Sequence, residues 1–154
     1  WDELVTYLNE SHGIGFEHYW FQKLEYILWK SLNNTDLPEK DLIKFEQYRI
    51  TSKNSVEHVH PQQEEYGNRL TETPLNSFGN LVLLSPGDNS SYSNQSVAKK
   101  KADFEAKPRF DSLKLRAIFR SKTNFDEGWT EKNIKNHKNA MIKLLTEHYG
   151  KNSE

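Results

Sequence analysis

Residues 54–62 read NSVEHVHPQ and residues 77–89 read SFGNLVLLSPGDN, and together they decide the fold. The first is a short extended run ending at Pro61, which cannot donate to a strand ladder and holds its predecessor near extended backbone. A polar loop follows it. In the second, the apolar run Leu81 to Leu84 is partly β-branched and lies between Gly79 and a Ser-Pro-Gly-Asp turn, which predicts a strand in a hairpin. From about Asn94 to Phe104, SNQSVAKKKADF recovers a helical spacing through Val97, Lys101 and Phe104, with Ser93 or Asn94 as the cap. The local order is strand, loop, strand, helix.

Helical patterns flank this unit on both sides. FEHYWFQKLEYILWKSL at 16–32 sets Trp20, Phe21, Leu24, Ile27, Leu28 and Leu32 at spacings of three, four and seven, as an amphipathic helix requires. Asn33, Asn34 and Pro38 break it, and a short helix is predicted over 39–47. Beyond Pro108, two more helices are expected at 111–121 and 130–148. The second carries Ile134, Met141, Leu144, Leu145 and His148 near one stripe, with Thr130 as N-cap and Gly150 as C-cap. The fold class this implies is α+β and predominantly helical, with a two-stranded hairpin and one helix at its centre. We expect one domain over 1–154, made of a helical scaffold (1–50), the strand-helix core (51–107) and closing helices (108–154).

Composition narrows the chemistry. The chain has 154 residues, enough for one buried core, and its 12% aromatic content is spread along its length, favouring a small globule over disorder. It has no cysteine, so disulfides and thiolate zinc sites are excluded and any metal must be held by His, Asp, Glu, Asn or water. No apolar run approaches the roughly 18 residues that span a membrane, so a cytoplasmic protein is expected. The chain starts at Trp1 and enters a helical pattern almost at once, which reads as a fragment of a longer protein. Its net charge is −1, but residues 99–122 hold nine bases against three acids. Such a stretch is either a solvated helix face or an anion-binding surface.

Four features with chemical potential fall within about forty residues: Glu57-His58-Val59-His60-Pro61-Gln62, Gly79-Asn80 before LVLL, Asn89, and Asn94 through Lys101. Each is weak alone. Their order resembles the HNH, or His-Me finger (ββα-metal), nuclease superfamily, in which a carboxylate-His pair ends one strand, an Asn opens the next, and a metal-binding His or Asn begins a helix. The E-H-x-x-P-Q string and the spacing from Asn80 to Asn89 are similar to the HNH domain of CRISPR effector nucleases. A closer resemblance, covering most of the chain, is to the C-terminal nuclease domain of GmrSD-type modification-dependent restriction enzymes and related phage-defence proteins. LEYILW, NSVEHVHPQ, SFGNLVLLSPGDN, SNQSVAKKKADF and WTEKNIKNHKNAMIKLL all have counterparts in that pattern. His137, where an arginine is expected, and His60, where an apolar residue is common, depart from it.

The resemblance implies a ββα-metal core over 51–107 and hydrolysis of DNA to 5′-phosphate and 3′-hydroxyl ends. His58 would be the general base, since an ordinary imidazole is mostly unprotonated at neutral pH. Asn80 would orient the loop and the base. Glu57 and Asn89 would hold Mg²⁺ or Mn²⁺, which suits oxygen donors, with His60 and Asn94 as runners-up. In a regular strand Glu57 and His58 face opposite ways, so a shared site requires a distortion near Pro61, while His58 and His60 would share a face. His60 is then either a second site residue or a partly exposed strand histidine.

Lys99, Lys100, Lys101, Arg109, Lys114, Arg116 and Arg120 are expected to contact phosphate backbone without reading sequence, leaving target choice to a specificity or NTPase domain in the same chain or complex. His12, His18, His137 and His148 are assigned to packing or surface. Three alternatives stay open: an RNA endonuclease of the same fold, a degenerate module that binds nucleic acid without cutting, and a structural zinc domain built on His58 and His60.

Overall fold

Strands β1 (Ser55–His58) and β2 (Leu81–Leu84) pair antiparallel, with Val56 opposite Leu83, Glu57 opposite Val82 and His58 opposite Leu81. They belong to a computed structural model that describes residues 2–50, 55–62, 70–85, 95–121 and 129–152. All four β2 residues are buried because alternation sends Leu81 and Leu83 to one face, Val82 and Leu84 to the other, and both faces are covered. Leu81, Leu83 and Val56 pack with Phe16, Phe21, Leu24, Phe78 and Leu145. Val82 and Leu84 pack with Val59, Val97, Phe104, Phe110, Ile118 and Trp129. The short apolar run thus carries the centre of two hydrophobic layers.

Around the sheet, the described helices are α1 (Asp2–Asn9), α2 (His18–Asn33), α3 (Glu39–Glu46), α4 (Glu72–Leu75), α5 (Val97–Ala106), α6 (Leu113–Phe119) and α7 (Glu131–Asn152). The expected helices at 16–32, 39–47, 111–121 and 130–148 all form, with shifted ends. Phe16 is core but precedes α2 rather than belonging to it. The two strands pair as the expected hairpin, and the link between them, expected as a polar loop, also contains α4 and a 3₁₀ turn at Phe78–Asn80.

Cap chemistry explains the boundaries. α5 begins at Val97 because the Ser96 hydroxyl accepts the Lys99 amide at 3.2 Å; this corrects the expected start at Ser93 or Asn94, both of which lie outside the described residues. Ser112 caps α6 by accepting the Leu115 amide at 3.0 Å. Thr130 caps α7 as expected, in a reciprocal box: its hydroxyl accepts the Asn133 amide at 3.3 Å and its own amide donates to Asn133 Oδ1 at 3.1 Å. Gly150 does not end α7, which runs on to Asn152; glycine's helix penalty of about 1 kcal/mol is outweighed in a helix this long.

Two polar clasps lock helices together. Glu25 of α2 is buried, and its carboxylate accepts the Tyr48 hydroxyl at 2.6 Å and the Leu113 and Lys114 amides at 2.8 and 2.9 Å. It thereby satisfies the first amides of α6, which have no partner within their own helix. Burial and the Glu25 charge hold the Tyr48 hydroxyl well above the ordinary phenol range. On the other flank, Asp41 of α3 takes Arg116 at 2.9 Å and Arg120 at 2.8 Å, and Arg120 also meets Glu105. The close approach of α7 to the start of β2 depends on Gly79: a Cβ there would lie 2.1 Å from the Ile134 carbonyl oxygen.

Candidate active site

His58 closes β1 as a half-buried side chain, and the chain around it is held from three directions. Its Nε2 lies 2.9 Å from Oδ1 of Asn76, the residue that follows α4. Asn80, fully buried, spans the next residues: its Oδ1 accepts the His60 amide at 2.8 Å, and its Nδ2 donates to the His60 carbonyl at 3.2 Å and to the Leu75 carbonyl at 2.9 Å. Its backbone carbonyl also accepts the Val59 amide at 2.8 Å. From α5, Lys100 Nζ donates to the carbonyls of His58 at 2.8 Å and Val59 at 3.0 Å. An asparagine amide matches a peptide's donor and acceptor, so Asn80 extends the sheet past its last rung and fixes where the chain after His58 goes.

Glu57 is half-buried and its Oε1 accepts the Ser55 hydroxyl at 2.7 Å, which places those two side chains on one sheet face. Val56 and His58 take the other, and pairing stays regular through His58 opposite Leu81. The distortion expected to bring Glu57 and His58 together therefore does not occur between them; the strand ends after His58. His60 is buried, which corrects the reading of it as a partly exposed strand histidine. Asn89 and Asn94 lie outside the described residues. Among the described residues no three His, Asp or Glu side chains converge on a metal position.

The basic stretch divides sharply. Lys99 and Arg109 are exposed and Lys101 half-buried, whereas Lys100 is buried and committed to the carbonyls at the end of β1. Lys114 is buried against the Phe78 ring, with Nζ donating to the carbonyls of Phe78 and Leu81, each at 2.7 Å. Burial pulls its pKa down to about 7, and the Glu25 charge opposes that pull. Arg116 and Arg120 are ion-paired with acids. The expectation that Lys100 and Lys114 contact phosphate is therefore corrected, because both ammonium groups serve backbone carbonyls inside the fold. Of the other histidines, His12 stacks on Tyr7, His18 is exposed, His148 packs edge-on to Tyr149, and His137 is buried beside Trp129. Burial and the Lys114 charge keep His137 neutral, well below the ordinary imidazole range.

Sequence reasoning missed Asn76, Lys100's clasp and Glu25. Asn76 stands in LNSFGN, where asparagine beside serine reads as turn chemistry, and nothing local points it at residue 58.

A two-stranded antiparallel sheet with a histidine at its end, and a following helix covering one face inside a helical shell, defines an α+β domain with a ββα-type core. The family model described as the C-terminal domain of GmrSD restriction endonucleases matches residues 1–144. The chain belongs to that family, and so to a group of restriction-type endonucleases. No curated protein and no solved structure matches it significantly. Among the described residues no helix is long and apolar enough to cross a membrane.

Proposed function

We propose that the protein is a metal-dependent HNH endonuclease acting on DNA in a restriction or phage-defence system. The observation that carries the reading is a half-buried imidazole at the end of β1, in a restriction-endonuclease family member, on a chain segment immobilised by Asn80 and Lys100. Hydrolysis of a phosphodiester needs a base for the attacking water, charge neutralisation at phosphorus, and help for the departing oxygen. His58 removes the proton from water as its oxygen bonds to phosphorus. The 3′ oxygen departs and takes up a proton, leaving 5′-phosphate and 3′-hydroxyl ends. Asn80 holds the segment that carries the base.

Oxygen donors suit a hard divalent cation: Glu57, next to His58 in the chain and on the opposite sheet face, offers a half-buried carboxylate, and Asn89 would add an amide oxygen, with His60 and Asn94 the next candidates. Held by these donors, Mg²⁺ or Mn²⁺ would supply Lewis-acid neutralisation of the charge that builds up in the reaction. Lys99, Lys101 and Arg109 attract the phosphate backbone without reading sequence, and a specificity or NTPase partner domain selects the target.

The test is cleavage of supercoiled plasmid with Mg²⁺ or Mn²⁺. His58→Ala is expected to lower the rate by roughly 10²- to 10⁴-fold, with Asn89→Ala and a chelator also suppressing it. Equal rates for the parent and both variants would remove the assignment.

A further inference from the structure

We propose that Asn76 is a positioning residue that fixes His58 in the Nε2–H tautomer and so makes Nδ1 the nitrogen that receives the proton from water. The inference rests on the reading of His58 as the base. A neutral imidazole carries its proton on either nitrogen, and only the other nitrogen can act as a base. Asn76 Oδ1 stands 2.9 Å from Nε2. A carbonyl oxygen can only accept, so this contact is a hydrogen bond only when Nε2 holds the proton.

Asn76 is itself held by its backbone. Its amide donates to the Glu72 carbonyl at 2.9 Å and its carbonyl accepts the Gly13 amide at 3.0 Å, tying the end of α4 to the turn between α1 and α2. Gly13 has φ 55°, in the left-handed region that favours glycine. A Cβ at that position would stand 2.7 Å from Asn76 Oδ1 and 3.0 Å from its Cγ, so the bare Gly13 backbone forms the seat on which the amide lies. The tautomer of a base on β1 is thus set by a residue eighteen positions later in the chain, resting on a glycine far upstream. A flipped amide would present Nδ2 and demand the opposite tautomer, which makes the tautomer itself the deciding measurement.

The experiment records ¹⁵N imidazole spectra of the metal-free protein at a pH well above the imidazole range, with the His58 signals assigned by their loss in His58→Ala. A pyrrole-type nitrogen at Nε2 and a pyridine-type nitrogen at Nδ1 are expected in the parent; the reverse pattern overturns the proposal without any Asn76 variant. In plasmid cleavage with Mn²⁺, Asn76→Leu should lower kcat by roughly 10- to 100-fold with KM within about twofold. Asn76→Asp, which keeps an acceptor oxygen, should restore most of that loss. An unchanged kcat in Asn76→Leu, or a loss that Asn76→Asp does not restore, also overturns it. The two readings fail separately. Full activity in His58→Ala removes the base, whereas loss in His58→Ala with full activity in Asn76→Leu removes only the positioning role.

Discussion

β1 and β2 have the same length and share every rung, yet one strand is scaffold and the other carries the candidate chemistry. Every β2 side chain is buried in one of two hydrophobic layers, while in β1 Val56 alone is buried and Ser55, Glu57 and His58 are half-buried. A one-residue slip would turn β1's polar side chains onto the wrong faces, and β2's double burial adds little discrimination because it is apolar on both sides. Register is instead pinned by polar groups beyond the ladder: Asn80 on the His60 backbone, Lys100 on the carbonyls of His58 and Val59, and Lys114 on the carbonyls of Phe78 and Leu81. Two strands this short hold an ordered site because buried side chains supply the rungs that a wider sheet would provide.

Changes at the root of β2 are therefore expected to cost stability, whereas changes at the end of β1 cost turnover. The largest effect is expected at Gly79, where a methyl group would collide with the Ile134 carbonyl oxygen of α7. Backbone cannot swing aside as a flexible side chain can, so Gly79→Ala should destabilise the protein by about 4 kcal/mol or more, read as a lowered urea midpoint. Next comes Asn80→Ala. It removes three side-chain hydrogen bonds, two of them buried, from the His60 amide and carbonyl and the Leu75 carbonyl, for a loss of about 3 kcal/mol. Because the same change frees the segment after His58, plasmid cleavage should fall even where the variant remains folded. A variant that loses stability but keeps full turnover would break the link drawn between the two strands.

Much of this was legible in the sequence, for identifiable reasons. Leu81–Leu84 announces a buried strand because Gly79 and the Pro-Gly pair at 86–87 in the sequence leave no room for a helix, and Thr130 announces the start of α7 because its cap chemistry is local. α4 has four residues and no period to read. The start of α5 was misplaced because Ser93, Asn94 and Ser96 are all capable caps, and only the fold chooses among them. Lys114 looked like one more charge in a basic stretch. A signal was nonetheless present, since Leu113 and Leu115 flank it and Ile118 lies one turn on, so it sits in an apolar run. For the candidate site, His58, Glu57 and Asn80 could be named from pattern. Asn76 could not, because its relation to His58 exists only once α4 and the Gly13 turn have docked.

Lys114 caps β2's first carbonyl from the core side. Lys114→Met keeps the packing against Phe78 but removes the ammonium donor from the carbonyls of Phe78, which keeps the Leu81 amide, and Leu81. The lost hydrogen bonds are partly offset by no longer burying an amine, so a net loss of about 2 kcal/mol is expected from thermal unfolding. Cleavage by the folded variant should be nearly unchanged, since the lysine serves the scaffold strand. A large drop in turnover with little change in stability would return Lys114 to the set of substrate contacts.

The smallest effect lies outside the sheet and tests whether the two strands are independent of the helical clasp. Hydrogen bonds from Arg120, followed by those from Arg116, hold the Asp41 carboxyl down at about 2, below its ordinary value of 3.8, although burial opposes them. A folded pKa below the unfolded one means the unfolded chain binds the proton more readily. The stabilisation is therefore complete above about pH 4 and is lost as the pH falls towards 2. With both guanidinium groups partly solvated, the contribution is on the order of 1 to 2 kcal/mol. Asp41→Asn should remove most of that acid dependence, seen as a flatter plot of unfolding free energy between about pH 4 and 2. Because the clasp joins α3 to α6 and touches neither strand, amide exchange over this window should quicken in α3 first, while Leu81 to Leu84 stay protected. If the β2 amides exchange as early as those of α3, the strands depend on the clasp, and the division between a scaffold strand and a chemical strand must be extended to the helices that hold both.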